Sequence, residues 1–141
     1  MNAPAQLQHE VVIEIPFHDC DPANIVWHGN YARYFEVARC ALLETLGYNY
    51  DHMLASGYAW PLIDVHMRFI KPLRFKQKVR VRVRIVEWEF RLKMDYLLTD
   101  AVSGERLSKG STIQVAIDCH TLEMCLASPP ILLEKLGVGT A

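Results

Sequence analysis

Two carboxylates and a histidine lie close together in a short polar stretch, HDCDPANIVWHGNY, at residues 18–31. Asp19 and Asp21 are two residues apart, and His28 follows seven residues after Asp21. Asp-Pro and Asn are common turn residues, so both carboxylates could simply accept hydrogen bonds from nearby backbone N–H groups. The same residue types also serve as metal ligands or as acids and bases in acyl chemistry, so three interpretations compete.

The metal interpretation and the thiol interpretation are the weaker ones. Asp19, Asp21 and His28 have a spacing that matches neither an EF-hand loop nor a zinc motif. Cys20 stands beside Asp21, and a neighbouring negative charge disfavours a thiolate nucleophile. The sequence contains no glycine-rich loop that would cradle phosphates. A turn and an acyl-transfer site remain as the two hypotheses.

A helix is predicted to begin directly after this stretch. Apolar residues then recur at helical spacing, at Tyr31, Tyr34, Phe35, Ala38, Leu42 and Leu46. Asn30 is the predicted N-cap, and Gly47 is the predicted residue that ends the helix. The unpaired N–H groups of a helix N-terminus can stabilise an oxyanion, while a nearby carboxylate attacks a carbonyl or activates water. One acid and one helix N-terminus are therefore a minimal hydrolase for an activated acyl group.

The elements around this helix are predicted to be strands. Residues 11–17 alternate, with Val11, Ile13, Ile15 and Phe17 on one face. After Pro61 come four strand-like segments, LIDVHMRFI, KVRVRVRIVEWEF, RLKMDYLLTD and RLSKGSTIQVAID, expected to form an antiparallel meander with a hairpin turn at Gly104. Residues 48–57 are expected to be a short helix or loop, and Pro129-Pro130 precede a short C-terminal helix. The pattern indicates an α+β fold in which an antiparallel sheet packs one face on a helix.

The stretch DCDPANIVWHGNYARYFEVAR resembles the active-site signature of the 4-hydroxybenzoyl-CoA thioesterase family, whose members have the hotdog fold. The matching positions are Cys20, Asp21, Asn24, Ile25, Val26, His28 and Tyr31. The resemblance implies a curved antiparallel sheet of about five strands wrapped around one long central helix, in a single domain over residues 1–141. It also implies an acyl-CoA thioesterase that releases a free acid and coenzyme A, and it favours an aromatic or short acyl group.

The resemblance also assigns residue roles. Asp21 aligns with the catalytic carboxylate, as nucleophile or general base, and the backbone N–H of His28 aligns with the group that polarises the thioester carbonyl. Asp19 is then structural. The substrate-binding residues expected from the alignment and the nearby sequence are Asn24, Val26, Trp27, Tyr31 and His66. Asn24 departs from the family's usual Gly or Ala, but Asn tolerates positive φ at modest cost.

Positive charge is concentrated in one segment. Nine of the fifteen Lys and Arg residues lie between Lys71 and Lys93. They could form a solvated strand face that blunts a sheet edge, or hold the phosphates of coenzyme A, for which Arg91, Lys93 and Lys109 are the candidates. A nucleic-acid-binding sheet is a further alternative, but a net charge of -1 and the lack of interleaved aromatics argue against it.

Two other functions stay open. His66 is expected in the core or the pocket wall, but with Asp64 it could instead hint at the acid–base pair of a hotdog dehydratase. A non-catalytic module that only binds acyl-CoA would fit the same signature. No metal or redox cofactor is expected for the thioesterase, because a thioester is already an activated acyl group. The resemblance implies a homodimer or homotetramer with the acyl pocket between subunits.

Composition sets the broad class of the protein. The 141 residues are 51% hydrophobic and 22% charged, which is typical of a globular domain. No apolar run approaches the ~20 residues of a membrane span, and the first residues lack the pattern of a signal peptide. The four cysteines are scattered, so a reduced, cytoplasmic protein is expected.

Overall fold

The structure, a computed structural model, describes residues 5–138. Its helices are α1 (Tyr31–Thr45), α2 (Tyr50–Ala55) and α3 (Pro130–Leu136), and single 3₁₀ turns occur at Ala5–Leu7, Phe17–Asp19 and His28–Asn30. Its strands are β1 (Gln8–Glu14), β2 (Tyr58–Ala59), β3 (Leu62–Phe69), β4 (Lys78–Glu87), β5 (Leu92–Asp100), β6 (Arg106–Gln114) and β7 (Ile117–Asp118).

Five strands form one antiparallel sheet in the order β1-β4-β5-β6-β3. Strands β4, β5 and β6 form the predicted meander, and Gly104 occupies the β5–β6 turn with φ +77°. The prediction that β3 and β4 are neighbours is wrong. The connection at residues 70–77 is too long for a tight hairpin and contains Pro72, and β3 pairs with β6 at the far edge.

The inner face of the sheet packs on α1. Val79, Val81, Val83 and Ile85 are buried, while the arginines between them point to the outer face, as the alternation predicts. Helix α1 contacts β1 and β4 and buries Phe35, Ala38 and Leu42. It has 15 residues, whereas α2 and α3 have six and seven. The basic residues of β4 do not blunt a sheet edge, because β4 lies between β1 and β5.

A glycine sets the distance between β6 and its neighbours. A Cβ added at Gly110 would lie 2.3 Å from the carbonyl oxygen of His66 and 2.6 Å from the ring of Phe35. Gly110 faces the helix side of the sheet, opposite Tyr96, whose ring stacks on Phe35 with centroids 4.4 Å apart. The absence of a side chain at this position therefore lets α1 approach the sheet closely.

Several boundary predictions need correction. Strand β1 ends at Glu14, and Phe17 is 71% exposed in a 3₁₀ turn, with its ring edge-on to Phe75. The side chain of Asn30 does not cap α1, because Asn30 already has helical backbone angles as the last residue of the preceding 3₁₀ turn. Its Nδ2 donates to the carbonyl oxygen of Asp19. Gly47 ends the helix region at φ +68°, as predicted. Pro130 begins α3, also as predicted.

The remaining global features concern cysteines and membranes. All four cysteines are free thiols. Among residues 5–138, no helix is long and apolar enough to cross a membrane.

Candidate functional site

A tight turn presents Asp21. The backbone N–H of Asp21 donates to the carbonyl oxygen of Ile25 over 2.8 Å, and the N–H of Asn24 donates to the carbonyl oxygen of Asp21 over 2.9 Å. The Asp21 Oδ1 accepts a hydrogen bond from the N–H of Ala23 at 2.9 Å. Asn24 adopts φ +64°, a backbone conformation that Asn tolerates at modest cost. The turn therefore fixes Asp21 Oδ1 from within, through its own backbone.

The turn is also tied to the connection between β3 and β4. The N–H of Val26 donates to the carbonyl oxygen of Leu73 over 2.9 Å, and Ile25 forms a bridge with Arg74. Because Val26 and Leu73 are both buried, this link is shielded from water. This link holds the Asp21 turn against residues 70–77, a segment that is distant from the turn in the sequence.

Asp19 anchors the same stretch to α1. Its carboxylate, 4% exposed, accepts hydrogen bonds from Arg33 Nη2 and from the hydroxyl of Tyr34, the latter at 2.6 Å. Its carbonyl oxygen accepts from Trp27 N and Asn30 Nδ2. Burial, with the hydrogen bond to Asp19, raises the pKa of Tyr34 above its ordinary range. Both carboxylate oxygens of Asp19 are engaged in holding the loop on the helix.

Asp21 and His28 share one cavity of about 300 Å³. The other lining residues are Ile25, Val26, Tyr31, Phe69, Ile70, Lys71 and Pro72. The rings of Tyr31 and Phe69 meet edge to face with centroids 4.8 Å apart, and the His28 ring lies 6.5 Å from Phe69. Burial raises the pKa of the Tyr31 hydroxyl. The cavity thus combines a carboxylate at its rim with apolar and aromatic walls.

The start of the helical region supplies hydrogen-bond donors at this cavity. A 3₁₀ turn at His28–Asn30 runs directly into α1. Within residues 5–138, the backbone N–H groups of His28 and Gly29 donate to no protein acceptor. Unpaired N–H groups at a helix start carry partial positive charge and can receive a developing oxyanion.

Three predicted binding residues do not line this cavity. Asn24 is exposed at the apex of the turn, and Trp27 is 52% exposed, with its ring lying over Gly29. His66 is not in the core, because it is exposed on the outer face of the sheet with Asp64, where it lines a different depression. Val26 and Tyr31 do line the cavity.

The residues proposed for coenzyme A phosphates also lie elsewhere. Arg91 binds Glu87 across the β4–β5 turn, with Nε 2.7 Å from Oε2. Lys93 and Lys109 belong to β5 and β6, away from the cavity. Lys71 lines the cavity and forms an ion pair with Glu105.

The sequence did not single out residues 69–72 as part of the site. Phe69 ends an edge strand and residues 70–72 begin the long connection, so only the tertiary fold brings them to Asp21. The one signal in the sequence was Pro72, which argues against a tight β3–β4 hairpin. No group of three or more His, Cys, Asp or Glu side chains suited to a metal occurs in the described residues.

Comparison with known proteins identifies the family. Residues 15–136 match the family model described as the Thioesterase-like superfamily. The chain belongs to this superfamily. The match includes the Asp21 turn, α1 and all strands from β3 to β6, so the family assignment covers the whole candidate site.

Relatives of this thioesterase-like chain carry related names. It is 29% identical over 107 residues to the putative acyl-CoA thioesterase YneP of Bacillus subtilis, covering 75% of this chain and 77% of that protein. The DHNA-CoA thioesterase structure from Staphylococcus aureus is similar with a TM-score of 0.77 and 28% identity, over 84% of this chain and 80% of that one. A 1,4-dihydroxy-2-naphthoyl-CoA thioesterase from Synechocystis shares the fold at TM-score 0.83 and 18% identity, over 92% and 96% of the two chains.

These similarities confirm the coarser predictions. The fold is a hotdog-like thioesterase fold with a five-stranded antiparallel sheet. The prediction that the chain is a thioester hydrolase is confirmed at the level of the family.

Proposed function

We propose that this chain hydrolyses acyl-CoA thioesters, with Asp21 as the reacting carboxylate and the backbone N–H of His28 as the oxyanion donor. The observation that supports this most strongly is that both groups face one cavity. Asp21 Oδ1 is held by Ala23 N–H, whereas Oδ2 has no protein partner in the part of the chain that the structure describes. The unengaged oxygen is the one available for chemistry.

The chemistry needs few groups, because a thioester is already an activated acyl compound. The thioester carbonyl oxygen accepts a hydrogen bond from His28 N–H, which stabilises the charge that develops on it. Asp21 then either attacks the carbonyl carbon, expelling the coenzyme A thiolate and leaving a mixed anhydride that water opens, or takes a proton from the water that attacks directly. Both routes give a free acid and coenzyme A, and neither requires a metal or redox cofactor.

The cavity walls indicate the class of acyl group. Tyr31, Phe69 and Ile70 present aromatic and apolar surface close to Asp21. A ring or a short aliphatic chain placed there gains contact with these walls while its carbonyl stays near the loop. We therefore propose an aromatic or short acyl group as the substrate.

Lys71 lines the cavity and carries a positive charge. Within one subunit it is therefore the residue best placed to bind a phosphate of coenzyme A. Arg91, Lys93 and Lys109 do not line this cavity, and we propose that a second subunit brings them to the nucleotide. A subunit boundary is provided if β3 pairs with β3 of a second copy, because β3 is an edge strand whose Ile63, Val65 and Phe69 are exposed. A homodimer of this kind would also close the cavity at Phe69.

Release of free thiol from a panel of aromatic and short-chain acyl-CoA compounds tests the activity. We expect turnover with at least one of them. Asp21→Asn should lower kcat by about 10²-fold or more, the usual contribution of a general base or nucleophile. The matched control is Asp64→Asn, an exposed carboxylate beside His66 on the outer face, which should keep wild-type kcat.

Two outcomes would contradict the proposal. Absence of turnover with every acyl-CoA would leave a binding module rather than an enzyme. Loss of thiol release in Asp64→Asn with retention in Asp21→Asn would move the chemistry to the outer face of the sheet, away from Asp21.

A further inference from the structure

The side chain of Asn30 has an unexpected hydrogen-bond partner. The sequence predicts an N-cap at this position, and an N-cap accepts a backbone N–H of the first helical turn through its side-chain oxygen. Asn30 makes no such bond within residues 5–138. Instead, its amide nitrogen Nδ2 donates to the backbone carbonyl oxygen of Asp19, which lies 2.9 Å away and eleven positions earlier in the chain. The side chain therefore serves as a donor and not as a cap.

This hydrogen bond closes a ring of the chain on one oxygen atom. The carbonyl oxygen of Asp19 also accepts the backbone N–H of Trp27, over 3.0 Å. Trp27 and Asn30 are the two ends of the short segment that contains His28 and Gly29, and both ends are fastened to the same atom. A carbonyl oxygen has two lone pairs, so one oxygen can accept both bonds. The segment 27–30 cannot change its orientation unless one of these bonds breaks.

The fastened segment sets the direction of the N–H group proposed as the oxyanion donor. The carbonyl of Trp27 and the N–H of His28 belong to one planar trans peptide group, in which they point in opposite directions. That carbonyl accepts the backbone N–H of Asn30 over 2.9 Å, so the N–H of His28 points away from Asn30. In the next peptide group, the carbonyl of His28 accepts the N–H of Tyr31, so the N–H of Gly29 points away from the start of α1.

The same oxygen of Asp19 lies at the base of the turn that presents Asp21. The two arms of this turn are joined at their base by the hydrogen bond between Trp27 and Asp19. Two residues further on, the N–H of Asp21 donates to the carbonyl oxygen of Ile25 over 2.8 Å, so the arms stay paired up to the reacting carboxylate. The carbonyl oxygen of Asp19 is therefore the point at which the turn of Asp21 and the segment 27–30 are joined.

Building on the proposed thioesterase function, we propose that Asn30 is a positioning residue for the hydrolysis. Through the carbonyl oxygen of Asp19, it keeps the N–H of His28 in register with the carboxylate of Asp21, so that one thioester carbonyl meets both groups. Asn30 is not among the described residues that line the cavity, so it acts through the backbone and not on the substrate. Such alignment matters most in the transition state, and its loss should therefore lower kcat more than it changes KM.

Two substitutions separate hydrogen-bond donation from helix capping. Asn30→Asp keeps the size of the side chain, and Asp is as good an N-cap as Asn. Its carboxylate cannot donate, however, and would lie against the carbonyl oxygen of Asp19. Asn30→Ala removes the side chain, and Ala is a poor N-cap. A capping role predicts that Asp retains what Ala loses, whereas the positioning role predicts that the Asp variant is impaired at least as much as the Ala variant.

Release of free thiol from the best acyl-CoA substrate compares the variants. We expect Asn30→Asp and Asn30→Ala to lose at least about tenfold in kcat while KM stays within about threefold of wild type, because small misplacements of catalytic groups are costly. Asn49→Asp is the matched control. Asn49 is the N-cap of α2, where its side-chain oxygen accepts the N–H of Tyr50 over 2.9 Å, and this variant should keep the wild-type kcat.

Amide hydrogen exchange tests the joint without any turnover. The N–H groups of Trp27 and Asp21 should exchange at least about tenfold faster in both Asn30 variants than in wild type, because the segment and the turn open locally. The amides of β5, in the middle of the sheet, should keep their wild-type rates, which also shows that the variants are folded. If the wild-type protein releases thiol from no acyl-CoA, the proposed function fails, while the exchange rates still test the joint.

Four results would overturn the positioning proposal. Wild-type kcat in Asn30→Asp, with a loss only in Asn30→Ala, would make Asn30 a helix cap. A higher KM with unchanged kcat would place it in substrate binding. Wild-type exchange rates at Trp27 and Asp21 in both variants would show that the side chain does not hold the segment. Faster exchange throughout β5 would make Asn30 a residue that the whole fold needs.

Discussion

At the scale of single residues, Asp19 and Asp21 have different surroundings, which give the first a structural role and suit the second to chemistry. Asp19 is buried and has both oxygens engaged by Arg33 and Tyr34. Asp21 is partly exposed, faces a cavity and has one oxygen without a protein partner in the described chain. Removing charge at the two positions should therefore affect two different measurements.

Asp19→Asn should lower the free energy of unfolding by about 1–3 kcal/mol, because it leaves a buried network short of a charged acceptor. Asp21→Asn is the matched variant, and it should stay within about 0.5 kcal/mol of wild type, since an Asn can still accept the Ala23 N–H. Urea unfolding followed by circular dichroism measures both. Equal losses of stability would show that the Asp19 network does not hold the loop.

Asn24 occupies the left-handed region at φ +64°, which suits Gly and costs other residues about 1–2 kcal/mol. Asn24→Gly should therefore unfold with a free energy close to wild type, and Asn24→Ala should lose about 1 kcal/mol relative to the Gly variant. Chemical denaturation of the three proteins side by side makes the comparison. An Ala variant as stable as the Gly variant would mean that the turn relaxes to negative φ.

Residue identity predicted the turn but not the opposite wall of the site. Asp-Pro and Asn have local preferences that persist in any fold, so the turn and the backbone conformation of Asn24 follow from the sequence. Phe69 and Lys71 reach Asp21 only through the tie between Val26 and Leu73. That tie joins segments about 47 positions apart in the chain, and no local pattern encodes it.

At the scale of elements, the packing of β6 on α1 depends on Gly110. A methyl group there would lie 2.3 Å from a backbone oxygen of β3, which cannot move without shifting the strand. Gly110→Ala should therefore cost about 1–3 kcal/mol of unfolding free energy. Ser111→Ala, on the neighbouring outward position, is the control and should change stability little. A neutral Gly110→Ala would indicate that β3 shifts freely at the sheet edge.

The β5–β6 hairpin is expected to show acid sensitivity through Asp100. Hydrogen bonds from Gln77 and from the backbone of Ser103 and Val102 lower the pKa of Asp100 from 3.8 to about 2. A depressed carboxyl pKa means that the charged form stabilises the fold above about pH 4, and that this contribution is lost as pH falls through about 2. The hairpin should therefore depend on pH only in the acid range.

Asp100→Asn keeps Oδ1 for the turn N–H groups and removes the charge together with the oxygen that accepts from Gln77 Nε2. Its melting temperature should lie below that of wild type at pH 7, and the gap should shrink between pH 4 and pH 2. Differential scanning fluorimetry across that range gives the two curves, with Asp51→Asn, an exposed helix position, as the control. A gap that is constant from pH 7 to pH 2 would show that the lost stability is not due to charge.

The sequence predicted strands better than it predicted their neighbours. Alternating Val and Arg in β4 reports which face is buried, because side chains alternate along a strand. The pattern does not predict which strands pair. Strand β5 can pair with one side of β4, and either β1 or β3 could pair with its other side. The structure places β1 there and moves β3 to the edge, a choice made by the connection at residues 70–77 and by packing on α1.

At the scale of the whole molecule, the two edges of the sheet differ in composition. Strand β3 exposes Ile63 (58%), Val65 (43%) and Phe69 (50%) beside Asp64, His66 and Arg68, whereas β1 at the other edge exposes one large apolar side chain, Val12, among Gln8, Glu10 and Glu14. Charges on an edge oppose pairing with another chain, and an apolar edge invites it. A second copy is therefore expected to pair at β3 rather than at β1.

Val65→Lys tests this pairing, because it puts a charge on each subunit near the point where two β3 strands would meet. We expect wild-type protein to elute as a dimer, or as a dimer of dimers, and the variant to shift to the monomer mass at equal concentration in size-exclusion chromatography with light scattering. Val12→Lys, a 54% exposed position on β1, is the matched control and should keep the wild-type mass. Monomeric wild-type protein, or dissociation caused by Val12→Lys instead, would exclude β3 as the interface. Since Phe69 lies on β3 and lines the cavity of Asp21, a variant that dissociates should also lose thioesterase activity as the protein is diluted.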